Sequence, residues 1–96
     1  MSMERWVVAY DIPDDRRRAK LARILDAFGD RTQYSVFEAL VSDSDLQELC
    51  RKINALIEPD EDTVRLYPLC NGCFPKIRDL GLVRRQPFDE PEVIIV

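Results

Sequence analysis

Residues 5–12 are apolar on both faces that a strand would present. Trp6, Val8 and Tyr10 alternate with Val7, Ala9 and Asp11, and Pro13 ends the run. A short stretch of this kind predicts a central strand covered on both sides. The chain has 96 residues, enough for one domain at the lower end of sizes that bury an adequate core.

Beyond Pro13 the period changes. Leu21, Ile24, Leu25 and Phe28 repeat at helical spacing and predict a helix from about Asp15 to Phe28. Asp14 or Asp15 is its expected N-cap and Gly29 its expected C-cap. Thr32 to Val41 reads as extended, with Phe37, Ala39 and Val41 on one face, either as one bent strand or as a tight strand pair. Ser44 with Gln47 resembles a capping box. It opens a second helix whose stripe is Leu46, Leu49, Cys50, Ile53, Leu56 and Ile57, and which stops at Pro59. Thr63 to Leu69 alternates again, with Val64 and Leu66 set against Arg65 and Tyr67. Phe74 to Leu82 is expected to be a further strand interrupted at Gly81.

The order of elements fits an α+β fold, a split βαβ sandwich with two helices on one face of an antiparallel sheet. The other face would then be apolar and exposed in a single copy, which calls for a dimer. The chain divides into residues 1–82, the folded domain, and 83–96, a connecting arm with a last strand, Val93-Ile94-Ile95-Val96. A free end of β-branched residues is an aggregation hazard unless it joins a sheet edge. The arm is long enough to carry it onto a partner's sheet, and an edge position in its own sheet is the intramolecular alternative.

Composition narrows the function. Apolar residues make up 46% of the chain, as in an ordinary soluble protein. No apolar run reaches the roughly 20 residues of a membrane span. With no signal peptide visible, the expected location is cytoplasmic and no membrane partner is expected. The net charge is −4, yet six of the 14 basic residues fall between Arg16 and Arg31. Phosphate binding depends on such a local patch and not on the mean charge.

The chain contains no histidine, so it lacks the commonest general base and the commonest transition-metal ligand. Hydrolytic chemistry would have to rest on carboxylates, hydroxyls or a hard cation such as Mg²⁺ or Mn²⁺. Asp11 closes the first strand just ahead of Arg16-Arg17-Arg18. A carboxylate at a strand mouth, facing arginines, suggests a phosphate backbone with a metal between. One carboxylate per chain is too few to hold the cation, which again implies a second copy. The plainer readings are a turn or cap role for Asp11, a solvated face for the arginines, and core packing for Tyr10 and Phe37. Cys70-Asn71-Gly72-Cys73 is either a zinc or redox pair or a reduced pair in a tight Asn-Gly turn.

Several segments together resemble the CRISPR-associated protein two family. They are Val8-Ala9-Tyr10-Asp11-Ile12 with Asp14-Asp15 and the basic helix, then Arg31-x-Gln33-Tyr34-Ser35-Val36-Phe37, then Val64-Arg65-Leu66-Tyr67-Pro68-Leu69-Cys70. The resemblance runs from residue 5 to about 80 in the family's order. It implies a ferredoxin-like fold and a symmetric homodimer whose terminal strands complete each other's sheets. It also implies that Asp11 of both chains meets near the dyad and holds Mg²⁺ or Mn²⁺. Metal-dependent endonuclease activity on single-stranded RNA or double-stranded DNA is the implied chemistry. The alternative within the family is a non-catalytic adaptor bridging copies of CRISPR-associated protein one around a prespacer duplex.

Tyr10, Asp11, Arg18, Arg31 and Phe37 match positions linked with activity in that family, and Lys20 matches another basic position. On the enzyme reading, Arg18 and Arg31 balance charge on the phosphate, Ser35 donates a hydrogen bond, and Tyr10 and Phe37 shape the pocket. Arg16, Arg17, Arg18, Lys20, Arg23 and Arg31 form the expected nucleic-acid surface. A regulatory small-molecule domain would need a glycine-rich loop, which Gly29, Gly72 and Gly81 do not make.

Overall fold

The computed structural model describes residues 2–81. In chain order they form β1 (Glu4–Asp11), α1 (Asp15–Asp26), β2 (Gly29–Gln33), β3 (Val36–Val41), α2 (Asp43–Leu56) and β4 (Thr63–Leu69), followed by a 3₁₀ turn at Phe74–Lys76. The sheet order is β2-β3-β1-β4, and each neighbouring pair is antiparallel. One helix links β1 to β2 and another links β3 to β4, which is the ferredoxin-like split βαβ sandwich expected from the sequence. The arm, the terminal strand and its exchange onto a partner lie outside the described residues.

β1 is central, paired with β3 on one side and β4 on the other. Its alternation decides what each face carries. Val8 and Tyr10 point with Phe37 toward the helices and join Leu21, Leu25, Leu49 and Ile53 in the core. Val8, Leu21, Leu25, Phe37 and Leu49 are fully buried, and each contributes roughly 1.5–3 kcal/mol by leaving water. The other face is uncovered within the chain. Val7, Ala9, Val36, Leu40, Tyr67 and Leu69 make it apolar as expected, but the register interleaves Arg5, Asp11, Glu38 and Arg65 with them.

The helix ends differ from the sequence reading in informative ways. Asp14 is the N-cap of α1, accepting from the Arg17 backbone N–H at 2.9 Å. The helix ends with Ala27 as its C-cap, so Gly29 is not the cap. Gly29 opens β2, where a Cβ would lie 2.0 Å from the Glu38 carbonyl oxygen and 2.7 Å from Ala39 Cα. Close approach of two backbones, not a left-handed cap, is why glycine stands there. For α2 the cap is Ser42, extended and accepting from the Asp45 N–H at 3.2 Å. Ser44 already lies in the first turn, and so the capping box expected at Ser44 and Gln47 is absent.

Thr32 to Val41 proves to be a strand pair, β2 and β3, turning at Tyr34-Ser35, with a register shift between Arg31 and Gln33. The strand expected from Phe74 to Leu82 is not formed over its described part, which is exposed throughout. Pro75 sits at the start of the 3₁₀ turn, and proline lacks the N–H that a ladder would use. No helix among the described residues is long and apolar enough to cross a membrane.

Gly29→Ala tests the close approach directly. Its methyl group meets backbone that cannot rotate away, so the variant loses about 1–3 kcal/mol or more in urea unfolding. A loss below about 0.5 kcal/mol would show that β2 and β3 have room to separate.

Candidate nucleic-acid interface and carboxylate site

The residues singled out from the sequence separate into three groups. The first is an exposed stripe on α1. Arg16, Lys20 and Arg23 succeed one another at i, i+4 and i+7 on the side away from Leu21 and Leu25, and all three are exposed. Among the described residues none of the three forms an ion pair within 4.0 Å. They are available to an anion in solution.

Arg17 and Arg18 belong to the same basic run but are engaged by the fold. Arg17 grips Asp62 with two hydrogen bonds, from Nε to Oδ2 at 2.8 Å and from Nη2 to Oδ1 at 3.1 Å, and adds Glu61 at 3.0 Å. The Asp62 side chain is fully buried and also accepts from the Glu58 backbone N–H at 2.9 Å. The Arg17 hydrogen bonds hold the Asp62 carboxyl below the usual aspartate range, against the opposing effect of burial. Arg18 donates to the Ile12 carbonyl at 2.8 Å and is paired with Asp15, so it closes the β1–α1 connection.

The second group surrounds Tyr10 on the helix side of the sheet. The Tyr10 and Phe37 rings are 6.2 Å apart, and the Arg31 guanidinium lies over Phe37 at 5.4 Å. Arg18 stands 5.9 Å from the Tyr34 ring. Burial pushes the Tyr10 hydroxyl above its ordinary value, with Arg31 the largest opposing influence. Tyr10 is therefore a neutral phenol at neutral pH, a hydrogen-bond donor and not a base. Ser35 is half-buried in the β2–β3 turn, where its carbonyl accepts from the Tyr10 N–H at 3.1 Å.

Asp11 forms the third group, on the opposite face. As the neighbour of Tyr10 in an extended strand it turns to the uncovered side, where it stands across from Thr63 of β4. It is exposed, and no hydrogen bond or ion pair from the described residues reaches its carboxylate. Asp11, Thr63, Arg65 and Tyr67 line a shallow depression of about 690 Å³ that Tyr10 also borders. The basic residue sharing this depression with Asp11 is Arg65, paired across from Ala9 and exposed, its Nη1 at 3.4 Å from the Tyr67 hydroxyl. Sequence reasoning missed Arg65 as a site residue. Its alternation against Val64 and Leu66 was legible, but the pairing of β4 with β1 was not.

The arrangement therefore brings Tyr10, Phe37 and Arg31 together, and among the described residues neither Arg18 nor Arg31 forms an ion pair with Asp11. Among the described residues no three acidic or cysteine side chains gather into a metal cage. Asp11 can offer a hard cation one oxygen ligand per chain. That donor fits Mg²⁺ or Mn²⁺ in a water-rich shell, and a second copy would be needed to supply another carboxylate.

Known proteins share this sequence pattern and fold. The sequence model of the family described as CRISPR associated protein Cas2 matches residues 3–77. A CRISPR-associated endoribonuclease Cas2 of Thermus thermophilus is 51% identical over 88 residues, covering 92% of this chain and 94% of that protein. The crystal structure of a hypothetical protein from Thermus thermophilus superposes with a TM-score of 0.79 at 37% identity, covering 86% of this chain and 96% of that one. A chain from a partial Cas6-RT-Cas1–Cas2 complex superposes with a TM-score of 0.70 at 29% identity, covering 97% and 98%.

The Arg17–Asp62 grip carries its own test. A carboxyl held low in the folded state stabilises the protein above the unfolded value and loses that effect as the pH falls toward the folded one. Asp62→Asn thus melts lower than the parent at pH 7, and the gap narrows below about pH 4, the ordinary range for aspartate. A gap of constant size over that range would show that the pair adds nothing through its charge.

Proposed function

Because the chain belongs to the CRISPR-associated protein Cas2 family, we propose that it acts as a nucleic-acid-binding homodimer in CRISPR spacer acquisition. In that reading, part of antiviral defence, Asp11 of both copies forms a metal-dependent phosphodiesterase site for RNA or double-stranded DNA. The observation that supports it best is the Asp11 carboxylate, exposed at the end of the central strand with no partner among the described residues. A carboxylate left free on an uncovered sheet face is half of a site that a two-fold related copy completes.

A hard cation held by the two carboxylates would supply Lewis acidity toward a phosphodiester oxygen and a more acidic water. The chain's own contribution is positional. Thr63 and Arg65 border the same depression, and the guanidinium fork matches the geometry of phosphate oxygens. Arg16, Lys20 and Arg23 then track the backbone of a longer nucleic acid, with α1 as the contact surface. The names of relatives support the endonuclease reading, since the Thermus protein is called an endoribonuclease.

One observation favours the adaptor alternative. Arg18 and Arg31, the guanidinium groups expected to balance charge at the scissile phosphate, are already engaged, Arg18 by Asp15 and the Ile12 carbonyl and Arg31 over the Phe37 ring. A chain with the α1 stripe and a thin carboxylate site would hold a prespacer duplex without cutting it. Its partner would be CRISPR-associated protein one, in keeping with the Cas1–Cas2 complex among the structural relatives.

Two experiments separate the readings. Asp11→Asn lowers Mg²⁺- or Mn²⁺-dependent cleavage by at least about 10²-fold while light scattering still finds a dimer. Cleavage unchanged in the variant would remove Asp11 from the chemistry and leave the adaptor. Arg16→Glu with Lys20→Glu weakens duplex binding most at low salt and reduces the slope of log affinity against log salt by about 0.9 per lost phosphate contact. Equal affinity at every salt concentration would take α1 out of the interface.

A further inference from the structure

The turn after β4 holds two thiols that no part of the fold or of the proposed site uses. Cys70 and Cys73 are both exposed and free, whereas Cys50 is half-buried on α2. The Cys73 N–H donates to the Cys70 carbonyl at 3.0 Å, and the Phe74 N–H donates to the same oxygen at 3.0 Å. A turn closed by an i to i+3 hydrogen bond brings its end Cα atoms within about 7 Å, and disulfides bridge Cα separations up to about 6.8 Å. Cysteines at its two ends are therefore close enough to bond with little change of backbone. Gly72, between them, has only the Cys70 sulfur near its missing side chain.

Metal binding and dithiol oxidation compete as uses for such a pair. A tetrahedral soft-metal site needs four ligands. The chain has no histidine, and among the described residues no third cysteine, aspartate or glutamate gathers with the pair. Oxidation to a disulfide is the chemistry that one chain completes alone. We propose that Cys70 and Cys73 are a reversible dithiol–disulfide pair, with Cys70 as the attacking thiol and Cys73 as the resolving one.

The surroundings of each sulfur assign the roles. The Cys70 sulfur lies back over the turn, 3.9 Å from where a side chain on Gly72 would begin. There the neighbouring Cys73 thiol and the turn's backbone N–H groups hold the Cys70 thiol below its ordinary range, while Cys73 is pushed up. The co-reactant is a low-molecular-weight disulfide. The Cys70 thiolate, its proton released, attacks one sulfur of that disulfide, whose S–S bond breaks and releases one small thiolate. Cys73 then gives up its proton and attacks the Cys70 sulfur, breaking the mixed disulfide and releasing a second small thiolate. The two protons finish on the two small thiols. The protein dithiol is oxidised by two electrons, and the small disulfide is reduced by two.

The bond would stiffen the point where the chain leaves the edge strand, because Phe74, hydrogen-bonded to Cys70, also packs its ring 3.8 Å from the Arg5 guanidinium.

The test uses the full chain with glutathione disulfide at neutral pH, quenched in acid and alkylated. Mass spectrometry of the tryptic peptide Leu66–Lys76 is expected to show an internal disulfide and no retained glutathione. Cys73→Ser should accumulate a stable glutathione adduct at Cys70, and Cys70→Ser should react at least about tenfold more slowly at its remaining turn thiol. Three results would overturn the proposal: glutathione adducts on the parent without an internal bond, equal rates in the two variants, or purified protein carrying one zinc per two chains that blocks oxidation.

Discussion

The alternation of β1 is the constraint on which the rest of the structure depends. As the central strand it hydrogen-bonds along both edges, so its register is held by β3 and β4 together. A slip of one residue would carry Val8 and Tyr10 out of the core and Asp11 into it. The cost of burying an unpaired carboxylate, added to the loss of two buried side chains, excludes that alternative. The same alternation that builds the core thus delivers Asp11 to the uncovered face. Fold and site share one cause.

A second constraint acts at the end of the sheet where Asp11 stands. Asp62 precedes β4, and its buried carboxylate would be intolerable without Arg17 and the Glu58 N–H. Together these ties fix the first turn of α1 against the entry to β4. They hold Thr63 opposite Asp11 and place the exposed part of α1 at a set distance from the strand end. Arg17 therefore fixes the frame around the strand end that carries Asp11. The neighbouring Arg16, Lys20 and Arg23 are the residues left to meet solvent or phosphate.

Much of this is legible in the sequence, where the physics is local. The two-sided apolar run locates β1, helical spacing locates α1 and α2, and period two locates β4. Legibility fails where one residue type serves two purposes. Gly29 has the position of a helix cap, but it allows β2 to approach Glu38 and Ala39. Two serines could cap α2, and only the extended backbone of Ser42 separates it from Ser44. Pairings distant in sequence are the least visible. The acidic run at residues 58–62 gives no sign that Asp62 answers Arg17, 45 residues earlier. Nothing in the sequence sets Arg65 beside Asp11, because strand order, unlike strand existence, leaves no mark in a single chain.

Asp11 carboxylates from two copies are proposed to share one hard cation on the uncovered sheet face. Calorimetric titration of the purified full chain with Mn²⁺ tests this most directly, run beside Asp11→Asn. The predicted result is one Mn²⁺ per two chains and no binding heat in the variant. One Mn²⁺ per chain, or binding that survives the substitution, would contradict it.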